Sequence, residues 1–305
     1  MDKMDNKKQY VLAVPNFSEG RRKEVIEAIV DQLRNVEGVK LISYEPEYDF
    51  NRTVVTVIGE PKPLKEALLN MAGKAYELIN MEEQTGSHPR IGAQDTIPLF
   101  PFKNITIEEV INLAEEIGRE IYERYKVPVY FSGKNARNEF RKSISNIREG
   151  QYEGLKKVVH TEERRPDIGP PALHPTAGAT IVSADYEGLT AYNVFLGTED
   201  LDIAKKIAKA VRGPSGGFST VRAVGIKFPE RSGVVVSMNM FDCSQTPLYR
   251  VYNFIKQEAA RYGVQVTGSE IVGPVKLDYL INSLEYFLGL ENFRKEQIIE
   301  YHLMD

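Results

Sequence analysis

The sequence has a single cysteine, only four histidines and no long apolar run in its 305 residues. One cysteine, Cys243, rules out a disulfide within the chain. Because the histidines stand at positions 88, 160, 174 and 302, no Cys/His zinc pattern can be drawn. No apolar stretch approaches the roughly 18 residues that a membrane-spanning helix needs. The N-terminal MDKMDNKKQY also lacks the apolar core of a signal peptide.

Charge is balanced along the chain, with 39 basic against 43 acidic residues and a formal net charge of -4. Dense runs of Lys and Arg are missing, which argues against a nucleic-acid binder. Hydrophobic residues make up 42% and charged residues 27%, an ordinary globular balance. These features predict a soluble cytoplasmic protein without a metal, without a membrane contact and without a nucleic-acid partner. The length favours two lobes.

The first half alternates short apolar strands with amphipathic helices. We predict strands at 10–14, 39–44, 52–58 and 97–100, and helices at 22–33 and 64–79, in the order β-α-β-β-α-β. A capping side chain for the first helix is expected from Ser18 or Asn16. Further along, we predict a helix at 107–125, a strand at 127–131, and helical pieces at 139–147 and 152–159.

The second half repeats this order, with strands at 189–196, 221–227, 234–240 and 264–266 and helices at 201–211 and 247–262. Thr267-Gly268-Ser269-Glu270 then follows, as Thr85-Gly86-Ser87-His88 does in the first half. We therefore predict an α+β fold, an internal duplication of a ferredoxin-like β-α-β-β-α-β unit. The lobes are assigned to residues 1–180 and 181–305, with their sheets facing each other across a substrate cleft or tunnel.

The stretch from Thr85 to Phe100, TGSHPRIGAQDTIPLF, carries the chemistry that the rest of the chain lacks. Gly86 permits backbone angles closed to other residues, and Pro89 biases His88 toward an extended conformation. Histidine titrates nearest neutrality, and an arginine, an amide and a carboxylate follow it at Arg90, Gln94 and Asp95. This combination suits proton transfer. The alternative is an ordinary loop histidine at the surface.

Residues 169–178 form a second unusual segment, with three prolines and two glycines. This composition is too rigid for a flexible linker and too broken for a helix or strand. The segment is therefore either a junction between domains or a binding loop.

Four stretches in order resemble the glutamate formimidoyltransferase (formiminotransferase) family: VPNFSEG at 14–20, NRTV at 51–54, GSHPRIGAQD at 86–95 and GSEIVG at 268–273. The similarity is collinear from about residue 10 to residue 290. It implies transfer of the formimino group of N-formimino-L-glutamate to N5 of tetrahydrofolate in histidine degradation. It further implies two α/β lobes around a tunnel, no metal, a homodimer, and a separate cyclodeaminase acting downstream. The co-substrate it implies is tetrahydrofolate, with or without a polyglutamyl tail.

The resemblance also assigns roles to residues. His88 matches the catalytic histidine, a general base and then acid, and Glu45 aligns with its acidic partner, with Glu47 and Asp49 as nearby alternatives. The remaining candidates are contacts to folate at Gly169, Pro170, Pro171, Ala172, Leu173, His174, Pro175, Thr176, Ala177 and Gly178, and contacts to the substrates at Asn16, Asn51, Arg52, Arg90 and Gln94. Arginines are expected because both substrates carry carboxylates.

Some positions leave alternatives open. Phe195 stands where the family usually has asparagine, so a formyl donor (N-formylglutamate or 5-formyltetrahydrofolate) and a non-catalytic folate-binding protein remain candidates. Arg52 faces either a substrate or a structural carboxylate. Glu270 either mirrors His88 by the duplication, or caps a helix or forms a salt bridge. His174 is expected to be a loop residue, not a second base, and Cys243 a small buried one.

Overall fold

A computed structural model of the chain describes residues 8–228 and 233–303. The chain forms two compact units, Met1–Gly188 and Leu189–Asp305. Each unit has its own β-sheet together with α-helices, so the α+β class is confirmed. The units divide after Gly188, whereas the sequence placed the boundary at residue 180, where a strand of the first sheet had not been recognised.

The sheet of the first unit has seven strands: β1 (Tyr10–Ala13), β2 (Asn16–Phe17), β3 (Val39–Glu47), β4 (Arg52–Gly59), β5 (Gln94–Lys103), β6 (Val129–Gly133) and β7 (Thr180–Ala184). Strand β4 pairs antiparallel with β1, β2 and β3. Strand β5 pairs antiparallel with β1 and β2 and parallel with β7, which pairs parallel with β6. The short β2 thus lies between β4 and β5. The His88 loop (residues 79–93) connects α2 to β5.

Five helices accompany this sheet in the described part of the first unit: α1 (Lys23–Val30), α2 (Pro61–Leu78), α3 (Ile107–Tyr125), α4 (Ile144–Ile147) and α5 (Gln151–Val158). The apolar stripes of α1, α2 and α3 pack with alternate strand residues such as Val55, Val57 and Ile97 in one buried core. Leu155 on α5 belongs to a separate buried cluster that includes Tyr130 and Ile181 of the sheet. The sheet therefore carries apolar side chains on two faces.

The capping of α1 differs from the prediction. The carboxylate of Glu19, only 3% exposed, accepts hydrogen bonds from the backbone N–H groups of Arg21 and Arg22 at 2.8 and 2.9 Å. A buried anion at a helix N-terminus satisfies amides that have no partner within the helix. Ser18 and Asn16 instead donate to backbone carbonyls, those of Gly92 and Val14, at 2.7 and 2.9 Å.

The sheet of the second unit has four strands: β8 (Thr190–Leu196), β9 (Val221–Phe228), β10 (Gly233–Met240) and β11 (Val266–Val272). The helices are α6 (Leu201–Val211), α7 (Leu248–Ala260) and α8 (Leu277–Leu288), of which α8 was not predicted. All pairings are antiparallel, in the order β11-β8-β10-β9. The chain order β8-α6-β9-β10-α7-β11 matches the order β1-α1-β3-β4-α2-β5 of the first unit. Within the described ranges, no helix is long and apolar enough to cross a membrane.

The proposed correspondence between Glu270 and His88 is wrong. Residues 267–270 lie inside β11, where Glu270 is paired with Asn193 of β8 and its carboxylate is 3.5 Å from the Asn193 amide. His88, in contrast, lies in the irregular segment that precedes β5. The strand continues because Ile271 and Val272 extend the pairing with β8 beyond the predicted end at residue 266.

Phe195 is buried in the second unit, although it lies on the face of β8 opposite to the helix-packed core. Its neighbours Val194 and Leu196 belong to that core, while Phe195 makes an edge contact with Phe228 at 5.2 Å. The position that differs from the family pattern is therefore occupied by a packed aromatic side chain, 4% exposed. Cys243 is buried as predicted.

Candidate active site

The His88 loop is fastened to the turn between β3 and β4 by Asn51. This residue has a φ of 49°, in the left-handed region that asparagine tolerates better than most residues. Its side-chain oxygen accepts from the N–H of Gly20 at 2.9 Å, and its amide nitrogen donates to the carbonyl of Thr85 at 2.7 Å. Asn51 therefore connects the loop that precedes α1 to the loop that carries His88.

Glycine at position 86 is required by close approach of two backbones. A Cβ there would lie 2.3 Å from the carbonyl oxygen of Phe50, a distance that forces a shift. Gly86 is not among the glycines with positive φ, so the predicted reason, an unusual backbone angle, is wrong. Gly20 meets the same hairpin, since its Cβ would lie 2.5 Å from the carbonyl oxygen of Glu47.

The imidazole of His88 is in contact with the guanidinium of Arg52. Nη1 of Arg52 lies 2.7 Å from Nε2 of His88, and the Phe50 ring is beside both groups. Because a guanidinium only donates hydrogen bonds, Nε2 must be the acceptor. The neutral imidazole therefore carries its proton on Nδ1.

A carboxylate holds Arg52 from its other side. Glu47 stands opposite Arg52 in the pairing of β3 with β4, and its Oε2 accepts from Arg52 Nε at 2.8 Å and also from Nη2. Glu45, two residues earlier, is exposed and stands opposite Val54. The structure thus brings together Glu47, Arg52 and His88. The sequence left open whether Arg52 faces a substrate or a structural carboxylate, and in the structure it faces the carboxylate of Glu47.

Burial and three arginines set the charge of His88. Desolvation, followed by the positive charges of Arg52, Arg148 and Arg90, lowers the pKa of His88 from 6.5 to about 3. The imidazole is therefore neutral at physiological pH. In the unfolded chain histidine takes up a proton near pH 6.5. The folded state binds this proton only near pH 3, so the unfolded state binds more protons between about pH 6.5 and 3. His88 therefore lowers the free energy of unfolding as the pH falls through this range, and has no such effect above it.

All hydrogen-bond donors of the Arg90 side chain are used within the protein. Arg90 is 4% exposed, and its five N–H donors have acceptors on Gln84, Gln151 and Glu153 at 2.7–3.1 Å. The Arg90 guanidinium in turn lowers the pKa of the Glu153 carboxyl. These bonds tie the His88 loop to the start of α5, so Arg90 affects His88 through position and charge.

Asp95 and Arg148 form a second buried connection. Asp95 is 2% exposed, accepts from the N–H of Ile91 at 2.7 Å, and is ion-paired with Arg148. Arg148, which follows α4, was missed in the sequence. It lies in a region without a motif, 53 residues from its partner, and no local pattern could have identified it.

Gln94 offers an acceptor without a partner. Its side chain is fully buried, and the amide nitrogen donates to the carbonyls of Asn16 and Thr96, both at 2.9 Å. The amide oxygen has no hydrogen-bond donor within the described residues. A buried acceptor of this kind costs stability unless a ligand or a water supplies a donor.

The segment 169–178 lies inside the first unit and contacts the His88 loop directly. Two backbone hydrogen bonds join them: Met81 N–H to Thr176 at 2.7 Å and Ala93 N–H to Ala177 at 2.9 Å. Ala179, the residue after the segment, donates its N–H to Ile91 at 3.1 Å. The other end of the segment, 169–172, is exposed. The two stretches predicted separately as base and folate segment are thus neighbours.

His174 stabilises the turn within this segment. Its Nδ1 accepts from the N–H groups of Thr176 and Ala177 at 3.3 and 3.0 Å, and burial lowers its pKa. The neutral ring therefore carries its proton on Nε2. This arrangement is that of a loop residue and not that of a second base.

The two segments cross at a pair of glycines. Gly92 and Gly178 form an isolated bridge, and Gly178 has a φ of +72°. A Cβ on Gly92 would lie 2.0 Å from the carbonyl oxygen of Ala179, and one on Gly178 would lie 2.3 Å from that of Ile91. Only glycine permits this contact.

Comparison with known proteins decides the family. The profile of the "Formiminotransferase domain, N-terminal subdomain" matches residues 10–185, and that of the "Formiminotransferase domain" matches residues 191–303. The chain belongs to the formiminotransferase family. This confirms the resemblance inferred from the four sequence stretches.

Relatives of two lengths share this family. Glutamate formimidoyltransferase of Streptococcus pyogenes serotype M1 is 38% identical over 96% of this chain and 98% of its own. The protein of the same name from Thermoplasma acidophilum is 37% identical over 95% and 96%. Formimidoyltransferase-cyclodeaminase of Gallus gallus is 38% identical over 92% of this chain but only 53% of its own length. This formiminotransferase thus spans nearly all of the shorter relatives.

The glycine crossing gives a first prediction. We expect Gly92→Ala to lower the free energy of unfolding by about 1–3 kcal/mol, because its Cβ must push the Ala179 backbone away. The matched control is Gly268→Ala on β11, where a Cβ meets nothing within 4 Å and we expect a change within about 0.5 kcal/mol. Urea unfolding followed by circular dichroism measures both. Equal stability of the two variants would show that the crossing is not tight.

Proposed function

We propose that this formiminotransferase moves the formimino group of N-formimino-L-glutamate to N5 of tetrahydrofolate, giving 5-formiminotetrahydrofolate and L-glutamate. Support comes from the family and from relatives named glutamate formimidoyltransferase that align over almost the whole chain. The observation that carries the chemistry is a neutral His88, held by Arg52 in a loop bonded to residues 169–178.

In the proposed reaction, N5 of tetrahydrofolate attacks the formimino carbon, so a carbon–N5 bond forms and the bond from that carbon to the glutamate nitrogen breaks. N5 must lose a proton and the departing nitrogen must gain one. His88 takes the first and supplies the second, so no net proton is consumed. A base has to be neutral before it accepts, and the low pKa of His88 ensures this. Holding both substrates in position supplies much of the remaining rate, about 7–11 kcal/mol at most.

Arg52 blocks the lone pair that this step needs, because its N–H donates to Nε2 of His88. We therefore infer that a carboxylate of the donor substrate pairs with Arg52 and draws it away from the imidazole. Nε2 is then free, and neutralising one of the three nearby positive charges raises the pKa of His88. Glu47 keeps Arg52 within reach during the exchange.

Tetrahydrofolate is assigned to residues 169–178, whose exposed first half leaves surface for a ligand. The unpartnered oxygen of Gln94 is the candidate acceptor for an N–H of the pterin or of the formimino group, with Asn16 beside it. Asn51 and Arg90 are positioning residues in this proposal, since their polar groups are used within the protein.

The arrangement of the whole chain in this proposal follows the family. Both units share the element order β-α-β-β-α-β, which supports two ferredoxin-like lobes. A substrate tunnel between the lobes, a homodimer and a separate downstream cyclodeaminase are the remaining parts of this expectation.

The reaction is tested with the purified chain, tetrahydrofolate and N-formimino-L-glutamate, by following 5-formiminotetrahydrofolate after acid cyclisation. We expect turnover with this donor and none with N-formyl-L-glutamate. His88→Ala should lower kcat by about 10²–10⁴-fold, the usual contribution of a general base, and leave tetrahydrofolate binding intact.

Three results would contradict this proposal. If only the formyl donor reacts, the proposed donor substrate is wrong. If His88→Ala turns over as fast as wild type, His88 is not the base. If the protein binds folate but transfers neither group, it is a binding protein and not an enzyme.

The partner of Arg52 is tested by comparing two neighbouring carboxylates of β3. We expect Glu47→Gln to lower kcat/KM about 10–100-fold, which corresponds to losing a charged hydrogen bond of roughly 1.5–3 kcal/mol. Glu45→Gln is the matched control and should stay within about twofold. The reverse ranking would show that Glu45 has the role that the family resemblance first assigned to it.

A further inference from the structure

A small cavity lies beside the edge strand β9 in the second unit, and none of its lining residues was given a role by the family resemblance. Its volume is about 280 Å³, and its lining includes Arg212, Arg222, Val224, Ser237 and Asn239. Asn239 stands directly opposite Arg222, and Ser237 directly opposite Val224. Because side chains alternate along a strand, these four share the face opposite to the helix-packed core.

The cavity carries positive charge, and the described part of the chain places no acidic side chain in its lining. Nε of Arg212 donates to the hydroxyl of Ser215 at 2.8 Å, and its two terminal nitrogens have no acceptor within the described ranges. Arg222 donates from Nη1 to two backbone carbonyls at 3.2 and 3.4 Å and lies against the Phe241 ring. None of the lining residues is acidic. Two guanidiniums therefore share one cavity in a chain whose net charge is negative.

A larger cavity in the first unit differs from the small cavity in its charge balance. That cavity, of about 940 Å³, is lined by three arginines and by Glu162, Glu163 and Asp167. One of these arginines, Arg141, is ion-paired with Asp167. Its charges are matched within the protein, so it has no excess charge with which to select an anion. The small cavity has such an excess.

The loop that places Arg212 makes a tight turn. It has the sequence Arg-Gly-Pro-Ser-Gly-Gly from residue 212 to residue 217 and turns back on the end of α6. The N–H of Gly217 donates to the carbonyl of Arg212 at 3.1 Å, and a Cβ on Gly217 would lie 2.2 Å from the carbonyl oxygen of Val211. This turn places Ser215 where its hydroxyl accepts from Nε of Arg212, and such a preformed contact lowers the entropy cost of binding.

We propose that Arg212, Arg222 and Asn239 form a binding site for the carboxylate of a glutamyl group. Planar guanidiniums match a carboxylate in bidentate geometry, and the amide and the Ser237 hydroxyl complete the polar contacts. The volume is just below the roughly 300–1,000 Å³ of sites for drug-sized ligands, so the cavity takes one end of a substrate. The proposal rests on the proposed function, because both of its substrates end in glutamyl carboxylates.

The test uses the full-length chain and binding measurements that need no turnover. Arg212→Gln and Arg222→Gln remove one charge each, and Lys227→Gln, an exposed cation of the same strand outside the cavity, is the matched control. Titration calorimetry with L-glutamate, folic acid and pteroic acid gives the dissociation constants, and circular dichroism confirms that each variant is folded.

We expect at least a tenfold weaker binding of a glutamyl ligand in both arginine variants and no change in Lys227→Gln. Weaker L-glutamate binding identifies the donor as the occupant. Weaker folic acid binding with unchanged pteroic acid binding identifies the glutamyl tail of the folate. Unchanged dissociation constants for both glutamyl ligands overturn the site. If wild type binds these ligands but does not transfer the formimino group, the proposed function fails and the site stands.

Discussion

The contact between Arg52 and His88 governs the rest of the active-site region. It determines the tautomer, because Nε2 can only accept from a guanidinium, and it helps to keep the imidazole uncharged. The carboxylate of Glu47 stabilises the contact, because it forms an ion pair with Arg52. In the proposed mechanism, His88 is a neutral base whose lone pair is occupied, and it becomes available when a carboxylate of the donor draws Arg52 away.

Much of the surrounding polar structure serves to place this contact. Asn51 bonds the His88 loop to the loop before α1, and Gly86 lets the loop lie on the β3–β4 turn. Arg90 and Asp95 anchor the same loop to residues around α4 and α5. The family stretches are therefore rich in residues that hold loops against each other, and few of their polar groups are left for a substrate.

Periodicity and local chemistry were enough to predict most of the fold. The spacing of apolar residues predicted α2, α3, α6 and α7 and most strands, and the glycines and prolines marked the His88 loop and residues 169–178 as sites. Local patterns failed where a distant partner decides the outcome. Strand β11 extends through residues 267–270 because it pairs there with β8. Strand β7 was not predicted, since it is short, follows the proline-rich residues 169–178, and is held by its pairing with β5 and β6.

The same limit applies to the site. His88 and Arg52 could be named from the sequence, but their contact could not, since it depends on how a loop folds over a hairpin. Glu47 and Glu45 are chemically equal in the sequence, and only the register of β3 with β4 separates them. Arg148 affects His88 through its charge alone and comes from a region without any motif.

The most direct test compares the pH dependence of kcat/KM with that of kcat at saturating donor. The first reports the ionisation of His88 in the free protein and the second that in the substrate complex. If a donor carboxylate draws Arg52 away, the acidic limb of kcat lies at higher pH than that of kcat/KM, and Arg52→Gln removes the difference. Identical acidic limbs in wild type, or an acidic limb that persists in His88→Ala, would contradict a base that Arg52 holds until the donor arrives.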